Sequence, residues 1–266
     1  MSRPVALVTG ASSGIGHALA LVYARRGHDV VALARRRDRL EELGAAVSRE
    51  GATALAVSCD VTADGQLDAA VAQALDRFGR IDVAVANAGT SISGALAELT
   101  LADYRRVFET NVFGVLRTAY AVRAPLAASR GAFGVVGSVT GYLTLPGFSA
   151  YAASKHAVRS HAEALRHEWR ADGISVTHIA PGFVASEIRK LDASGRVADR
   201  PDPIPAWLVM PAEEAARQIA DAMAEHRAEV VLTNHGKAAT LVARHAPWIL
   251  TLGLRLAGSR VGDGFR

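Results

Sequence analysis

The feature that most constrains the fold of this chain is a repeated alternation of short apolar runs with longer helical patterns. Most of the short runs are rich in valine and alanine and lack polar alternation, as is typical of parallel strands covered on both faces. The stretches between them, such as "LDAAVAQALDRF", place apolar residues three and four apart, as amphipathic helices do. The pattern predicts an α/β fold with a doubly wound parallel sheet and helices on both faces. The strand-like runs are Val5–Val8, Val30–Ala34, Ala54–Ser58, Val83–Ala86, Phe133–Gly137, Ser175–Ala180 and Val230–Thr233.

Length and composition favour one domain with a sizeable core, since the chain has 266 residues, of which 50% are hydrophobic and 21% charged. A single cysteine, Cys59, excludes a disulfide framework and fits a reducing compartment. Neither a signal peptide nor an apolar run long enough for a transmembrane segment is evident, so we expect a cytoplasmic protein. The net charge of +4 is spread along the chain, which argues against a nucleic-acid partner.

The domain organisation follows from one shift in composition. After residue 186 the stretch "SEIRKLDASGRVADRPDPIPAW" carries three prolines and predicts an inserted lid at about residues 186–210. We therefore expect one domain over residues 1–235 and an apolar extension over residues 236–266. A short helix begun by Pro247 is predicted in this extension. It is too short to span a bilayer, and packing on its own fold, a partner subunit and a membrane surface remain open as its contacts.

Two glycine turns predict the binding of a phosphate-containing ligand. The first apolar run leads directly into "TGASSGIGHALA", where Gly10, Gly14 and Gly16 precede a helix. Such glycines let the backbone approach a pyrophosphate, which the helix N-terminus favours through its free N–H groups and dipole. A second turn, Asn87–Gly89, closes the fourth run. In a doubly wound sheet the first and fourth strands flank the ligand crevice, so one ligand explains both turns.

The end of the second strand predicts which dinucleotide binds. An NAD site would place an acidic residue there, about 20 residues past the glycine turn. This chain has Arg35, Arg36 and Arg37 instead, where a helix is about to begin. The 2′-phosphate of NADP would offset the repulsion between these cations and the helix dipole, so we expect NADP(H) to be preferred over NAD(H). A solvated surface cluster partnered by Asp38 is the alternative.

The stretch "SAYAASKHA" predicts the reacting end of the site. Tyr151 and Lys155 are four residues apart and share one face of a helix, so the ammonium would lower the pKa of the phenol. An exposed helix with a packed tyrosine and a solvated lysine is the alternative. Ser138 follows the run "FGVVG", at the carboxyl end of a strand, and suits a polarising donor better than a nucleophile. Asn111 interrupts the helical segment "YRRVFETNVFGVLRTAY".

In their order and spacing, Gly10–Gly16, Asn87–Gly89, Asn111, Ser138, Tyr151 and Lys155 resemble the short-chain dehydrogenase/reductase family over about residues 4–235. The resemblance implies a single Rossmann domain with seven parallel strands. It also implies hydride transfer between NAD(P) and a carbonyl or alcohol, with Tyr151 as general acid/base. Lys155 would lower the pKa of Tyr151 and hold the nicotinamide ribose. Ser138 would hydrogen-bond the substrate oxygen, and Asn111 would order a water chain to Lys155.

The resemblance extends to further cofactor positions. Asp60 would hold the adenine with Val61 beside the ring, and "PGFVAS" would line the nicotinamide. Where the family usually has threonine, Ser186 keeps the hydroxyl and loses a methyl. The whole expected cofactor-binding set is Gly10, Ser12, Ser13, Gly14, Ile15, Gly16, Arg35, Arg36, Asp60, Val61, Asn87, Ala88, Gly89, Tyr151, Lys155, Pro181, Gly182, Val184 and Ser186.

The expected substrate is an apolar, medium-sized ketone or secondary alcohol, because the segments expected to wall the pocket carry no arginine cluster, although Arg189 and Lys190 lie there. The predicted substrate contacts are Ser138, Leu145, Phe148, Tyr151, Phe183 and Trp207, with Leu143, Leu191 and Met210 as further apolar candidates. No metal site is expected, because His156, His161 and His167 are spaced five and six residues apart on one helix and read as surface residues.

We thus expect an NADP-dependent oxidoreductase that forms a homodimer or homotetramer. Two alternatives stay open at this point. One is a non-catalytic cofactor-binding or scaffold protein on the same fold, and the other is a dehydratase or epimerase. The complete Asn–Ser–Tyr–Lys set favours the oxidoreductase over a scaffold.

Overall fold

The computed structural model of the chain describes residues 3–190, 201–202 and 204–257. Within these residues the chain forms a seven-stranded, wholly parallel sheet with the order β3-β2-β1-β4-β5-β6-β7. The strands are β1 (Val5–Thr9), β2 (Asp29–Ala34), β3 (Ala54–Ser58), β4 (Val83–Ala86), β5 (Ala132–Val136), β6 (Ser175–Ala180) and β7 (Glu229–Val231). The predicted doubly wound parallel sheet is confirmed, because every strand-like run of the sequence contributes a strand.

Helices cover both faces of the sheet. The helices are α1 (Gly14–Arg25), α2 (Arg37–Arg49), α3 (Gln66–Phe78), α4 (Leu101–Phe108), α5 (Gly114–Ser129), α6 (Ser149–Glu168), α7 (Ala212–Ala224), α8 (Asn234–His245) and α9 (Pro247–Ala257). Apolar residues of α1, α2 and α7 pack on one face, and those of α3, α5 and α6 pack on the other. Successive residues of β1 alternate between the two layers, and the strand is fully buried. This burial on both faces explains why the strands show no polar alternation.

The carboxyl ends of β1 and β4 are fastened together by side chains of Thr9 and Asn87. The Thr9 hydroxyl accepts hydrogen bonds from the N–H groups of Asn87 and Ala88, each at 3.0 Å. The Asn87 amide Nδ2 donates to the Thr9 carbonyl at 2.9 Å. Because Thr9 is 1% exposed, no water competes for these bonds. The two glycine turns that follow β1 and β4 therefore have fixed positions relative to each other.

Glycine is required at two positions of the first turn. Gly10 has a φ of +67°, and a Cβ there would lie 2.8 Å from the Ala88 Cα. A Cβ on Gly16 would lie 2.4 Å from both the Asn87 Nδ2 and the Gly10 carbonyl oxygen. The Gly10 backbone and the hydrogen-bonded Asn87 amide cannot both move away from such a Cβ. The close approach of α1 to the two strand ends therefore depends on glycine at position 16.

The C-terminal extension and the lid each expose a tryptophan. Helix α9 begins at Pro247 as predicted, its Trp248 side chain is exposed, and Trp207 in the lid is 82% exposed. A partner subunit and a membrane surface therefore stay open as contacts of the extension. The rest of the predicted lid, at residues 191–200, and the end of the extension, at residues 258–266, lie outside the described residues. Among the described residues, no helix combines the length and apolar composition that crossing a membrane requires.

Gly16→Ala is predicted to destabilise the fold by about 1–3 kcal/mol, because the new methyl group meets Asn87 and Gly10 in a space without room for it. The measurement is urea unfolding followed by far-UV circular dichroism.

Gly44→Ala is the matched control, since it also lies within a helix but its Cβ meets nothing closer than 3.8 Å. It should gain about 0.5–1 kcal/mol from helix propensity. Equal effects of the two substitutions would contradict the steric account.

Candidate active site

A cleft of about 620 Å³ opens where the strands end. It brings together the first glycine turn, the Asn87–Gly89 turn and the residues of the predicted reacting end. The predicted residues that line it are Gly10, Ser12, Ser13, Gly14, Ile15, Arg35, Arg36, Asp60, Val61, Asn87, Ala88, Gly89, Ser138, Tyr151, Lys155, Pro181, Gly182, Val184 and Ser186. Gly16 and Asn111 are buried and do not line it. Residues that lie far apart in the sequence thus share one cleft, as the crossover of the sheet requires.

The first turn forms a cradle for a pyrophosphate. Gly14 begins α1, and the hydroxyl of Ser13 before it makes no capping hydrogen bond with the helix. A Cβ on Gly14 would lie 3.0 Å from the Cβ of Ser186, so any side chain there would fill the cleft. A helix N-terminus without side chains at its start is the arrangement that binds the phosphates of a dinucleotide. These residues therefore fit the pyrophosphate of a nicotinamide cofactor.

Arg36 carries the cation nearest to this cradle. Its guanidinium donates to the Ser12 hydroxyl at 3.1 and 3.3 Å and to the Glu187 carboxylate at 2.8 Å. Arg35 is mostly exposed, and its guanidinium lies 3.9 Å from the Asp60 carboxylate. Glu187 was not singled out from the sequence. It lies 151 residues from Arg36 along the chain, and only the fold brings the two together.

Ser138, Tyr151 and Lys155 meet at the end of β5. The Ser138 hydroxyl accepts a hydrogen bond from the Thr140 N–H at 3.1 Å and lines the same cleft as the Tyr151 phenol. The Lys155 Nζ lies 5.7 Å from the centre of the Tyr151 ring and donates to the Val136 carbonyl at 2.9 Å. Lys155 is 3% exposed, so the alternative of a solvated lysine on an exposed helix is wrong. The arrangement places a phenol and a buried ammonium together at the carboxyl edge of the sheet.

Burial acts on the two groups in opposite directions. It raises the pKa of Tyr151, against the hydrogen bond from Ser138 and the nearby Arg189 guanidinium, which both favour the phenolate. Burial also lowers the pKa of Lys155 to about 8. Desolvation of the phenolate thus outweighs the groups that favour it. The role of Lys155 in lowering the pKa of Tyr151 stays a prediction.

Asn111 lies behind the site rather than in it. Its carboxamide oxygen accepts from the Thr90 N–H at 2.8 Å, and its Nδ2 donates to the Thr90 carbonyl at 2.9 Å and the Ser154 hydroxyl at 3.0 Å. Ser154 in turn donates to the Tyr151 carbonyl at 2.7 Å. Asn111 therefore ties the turn after β4 to the helix that carries Tyr151. It reaches inward from a π-helical turn over Glu109–Phe113, where the sequence predicted a continuous helix.

The predicted substrate contacts are only partly brought together. Ser138 and Tyr151 line the cleft, whereas Leu145, Phe148, Phe183 and Trp207 do not. Phe183 stacks on His235, with ring centres 5.1 Å apart. Periodicity does not fix side-chain directions in loops, so the substrate contacts at these four positions stay predictions. Leu191 lies outside the described residues.

Further residues line the cleft, and of these only Arg189 was placed in the pocket wall from the sequence. They are Ala34, Cys59, Thr90, Arg106, Thr110, Val136, Gly137, Glu187, Ile188 and Arg189. Arg189 donates to the Asp202 carboxylate, with Nε at 2.9 and 3.1 Å from its two oxygens. The only sequence signal for the last three was their place directly after Ser186. Because Arg189 is paired with Asp202, the positive charge at position 189 of the cleft wall is compensated.

Comparison with known proteins adds the family. The family model described as short chain dehydrogenase matches residues 4–196. An uncharacterized oxidoreductase of Myxococcus xanthus is 41% identical over 191 residues, which cover 71% of this chain and 75% of that protein. The chain spans only 15% of the length of another relative, a glycine betaine reductase of Emericella nidulans that is 36% identical over 189 residues, 71% of this chain.

Two solved structures are similar over nearly the whole chain. A short-chain dehydrogenase from Sphingobium yanoikuyae in complex with NADPH is 31% identical, with a TM-score of 0.78, and the match covers 96% of this chain and 98% of that one. A short chain dehydrogenase/reductase from Burkholderia phymatum in complex with NAD is 27% identical, with a TM-score of 0.82 and coverages of 94% and 95%.

The stability of the cofactor-free protein is predicted to rise with pH above about 8 because of Lys155. Its pKa is about 8 in the folded protein against 10.5 for the ordinary group. Between these values the unfolded state binds more protons, so the free energy of unfolding rises by at most about 1.4 kcal/mol per pH unit. Below pH 8 both states hold the proton, and the cost of burying the charge is fully present.

Urea unfolding of the wild type and of Lys155→Met at pH 7, 8 and 9 measures this contribution. The free energy of unfolding of the wild type should increase relative to that of the variant as the pH rises. Parallel profiles for the two proteins would show that Lys155 is not the buried cation described above.

Proposed function

Since this chain belongs to the short-chain dehydrogenase family and is an NAD(P)-dependent dehydrogenase/reductase, we propose that it prefers NADP(H) and uses Tyr151 as general acid/base. The substrate would be a carbonyl compound or a secondary alcohol, apolar and medium-sized. The single observation that carries the proposal is the meeting of Ser138, Tyr151 and the buried Lys155 in one cleft, with the Lys155 Nζ 5.7 Å from the centre of the Tyr151 ring.

The proton chemistry of the proposed reaction belongs to Tyr151. When bound, the nicotinamide cofactor supplies or accepts the hydride. In carbonyl reduction Tyr151 gives its phenolic proton to the carbonyl oxygen, and in alcohol oxidation it takes the hydroxyl proton. Ser138 holds the same substrate oxygen by a hydrogen bond, so that the oxygen lies within reach of the phenol.

Lys155 would stabilise Tyr151 after it has lost its proton. An ammonium 5.7 Å from the ring centre would favour the phenolate electrostatically once the phenol has given up its proton. With a pKa of about 8, Lys155 is still mostly charged at neutral pH. Lys155 would also hold the nicotinamide ribose, next to the Asn87–Gly89 turn.

The proposed preference for NADP(H) rests on Arg36, with Arg35 as a second cation. The Arg36 guanidinium lies beside Ser12 of the phosphate cradle, where an adenosine 2′-phosphate could form charge-assisted hydrogen bonds. Glu187 occupies one edge of the same guanidinium. The phosphate would therefore share Arg36 with a carboxylate, which reduces the discrimination that the arginine alone could give.

The proposed apolar substrate is supported by the pairing of charges in the wall of the cleft. Arg189 is paired with Asp202, and Arg106 with Asp103 at 3.1 Å, so neither presents a free cation to a substrate carboxylate. The domain limits, with a core over residues 1–235 and an extension over 236–266, and assembly as a homodimer or homotetramer belong to the same proposal.

Tyr151→Phe is predicted to lower kcat by about 100- to 10,000-fold while cofactor affinity stays nearly unchanged, because only the phenolic hydroxyl is removed. Turnover of a panel of ketones and alcohols, followed by nicotinamide absorbance, and cofactor titration measure the two effects. Tyr120→Phe, which alters a tyrosine that is 73% exposed, is the control and should retain wild-type turnover. Wild-type turnover in Tyr151→Phe would refute the mechanism.

Arg36→Ala is predicted to weaken NADP(H) binding at least about tenfold and to change NAD(H) binding little, since a charge-assisted contact contributes about 1.5–3 kcal/mol. Glu187→Gln is predicted to act in the opposite direction and to strengthen NADP(H) binding by about two- to fivefold, because a partly exposed carboxylate then no longer competes for Arg36.

Titration of both cofactors against the wild type and the two variants measures these effects. Equal affinity of the wild type for NADP(H) and NAD(H), unaltered by Arg36→Ala, would refute the cofactor preference. Glu41→Gln is the matched control for Glu187→Gln, since Glu41 pairs with Arg37 on the exposed side of α2.

A further inference from the structure

A buried polar cluster lies beneath the Gly137–Ser138 turn and has no role in the proposed mechanism. Its centre is His178, which is 1% exposed and lies in the buried strand β6. In the sheet, His178 is in register with Val135 on β5 and with Glu229 on β7. A histidine at such a position is costly to bury unless its nitrogens have partners.

The contacts of His178 determine which of its nitrogens carries the proton. The Tyr142 hydroxyl donates its one hydrogen to Glu229, whose carboxylate also accepts two bonds from Arg244 at 2.7 Å. The same hydroxyl lies 3.1 Å from the His178 Nδ1 and can only accept there. The proton of the neutral imidazole is therefore on Nδ1. The Nε2 is a bare acceptor, buried and without a hydrogen-bond partner in the described part of the chain.

This unpaired Nε2 faces the floor of the active site. An ideal Cβ on Gly137 would lie only 2.2 Å from it, so the imidazole occupies the space that any side chain at position 137 would need. Gly137 lines the cleft and directly precedes Ser138. Gly137 itself is held by a hydrogen bond from its N–H to the Ile179 carbonyl at 2.7 Å. The imidazole thus supports the backbone turn that presents Ser138.

The charges around His178 favour its neutral form. Burial lowers the pKa of His178, Glu229 opposes this, and Arg159 and Lys155 of α6 add to the lowering. The guanidinium carbons of Arg244 in α8 and of Arg159 lie over the Tyr142 ring, 4.9 and 4.3 Å from its centre. A cationic imidazole would thus stand among three other cations, with Glu229 as the one acid that faces it in the described residues.

We propose that His178 is a positioning residue for the reaction: its neutral imidazole holds the Gly137–Ser138 turn in place from below. Through Tyr142 and Glu229 it also links this turn to Arg244 in α8, and so to the C-terminal extension. The inference rests on the proposed function, since it assigns to Ser138 the role of holding the substrate oxygen. What the inference adds to that function is the contact between Gly137 and His178, which requires glycine at position 137 because the imidazole fills the space of a side chain there.

A double-mutant cycle that enlarges the side chain at position 137 and shortens the one at position 178 tests the contact. Gly137→Ala alone should lower kcat by about 100-fold, because its methyl group displaces the turn against the imidazole. His178→Ala alone should lower kcat by about tenfold and leave the Kd of the cofactor within about twofold, since the turn loses its support. The double variant should recover at least about tenfold over Gly137→Ala, because each change makes room for the other. His167→Ala, at an exposed position of α6, is the control.

The same cycle is measured without cofactor as the urea midpoint of unfolding, where the double variant should again exceed Gly137→Ala. Nitrogen-15 NMR of histidine-labelled protein gives a second readout. It should show one imidazole, absent from His178→Ala, that is neutral at pH 8 with its proton on Nδ1.

The outcomes separate this inference from the proposed function. A double variant no better than Gly137→Ala in both kcat and midpoint, or a His178 imidazole that carries its proton on Nε2, overturns the role of His178. Wild-type turnover in Tyr151→Phe overturns the proposed function instead, and the midpoint cycle and the NMR result then still test the contact on their own.

Discussion

Hydrogen bonds between the ends of β1 and β4 are the constraint on which the rest of the site depends. Thr9 and Asn87 join the two strand ends, at the point where successive crossovers leave in opposite directions. Because the glycine turn continues from one strand and the Asn87–Gly89 turn from the other, their fastening fixes the floor of the cleft. Asn111 then connects the second turn with α6, which carries Tyr151 and Lys155. The phosphate cradle and the proposed reacting groups are thus parts of one hydrogen-bonded frame.

Burial in this frame sets the electrostatics of the site. Taking Tyr151 and Lys155 out of water favours the neutral form of each, which raises the pKa of the phenol and lowers that of the ammonium. Without cofactor, Tyr151 is therefore a neutral phenol and not a phenolate. In the proposed mechanism the positive charge of the oxidised nicotinamide lowers the pKa of the Tyr151 phenol. Lys155 adds to this positive charge while it keeps its proton. The pKa of His178 in β6 is lowered, so this imidazole stays neutral and adds no second positive charge near Lys155.

The sequence predicted those features that depend on local pattern. Valine- and alanine-rich runs identified the strands, and the glycines of "TGASSGIG" identified the phosphate turn, since a Cβ at Gly16 has no room. The spacing of Tyr151 and Lys155 identified a pair that the fold does bring together. Contacts between distant segments could not be read in this way. The pairing of Arg36 with Glu187, the inward turn of Asn111 and the placement of His178 under Gly137 each need the tertiary structure. The loop residues Phe183 and Trp207 do not line the cleft, and no periodicity could have fixed the direction of their side chains.

The measurement that tests the central claim most directly is an ultraviolet titration of Tyr151, taken as the difference in phenolate absorbance between the wild type and Tyr151→Phe. Without cofactor the difference should show a phenol that titrates at a higher pH than an ordinary tyrosine, because burial raises its pKa. With oxidised NADP at saturation, the added positive charge should bring the titration of one phenol to a clearly lower pH. A difference spectrum that is unchanged by the cofactor would contradict the account, since Tyr151 would then not be the group whose proton the site controls.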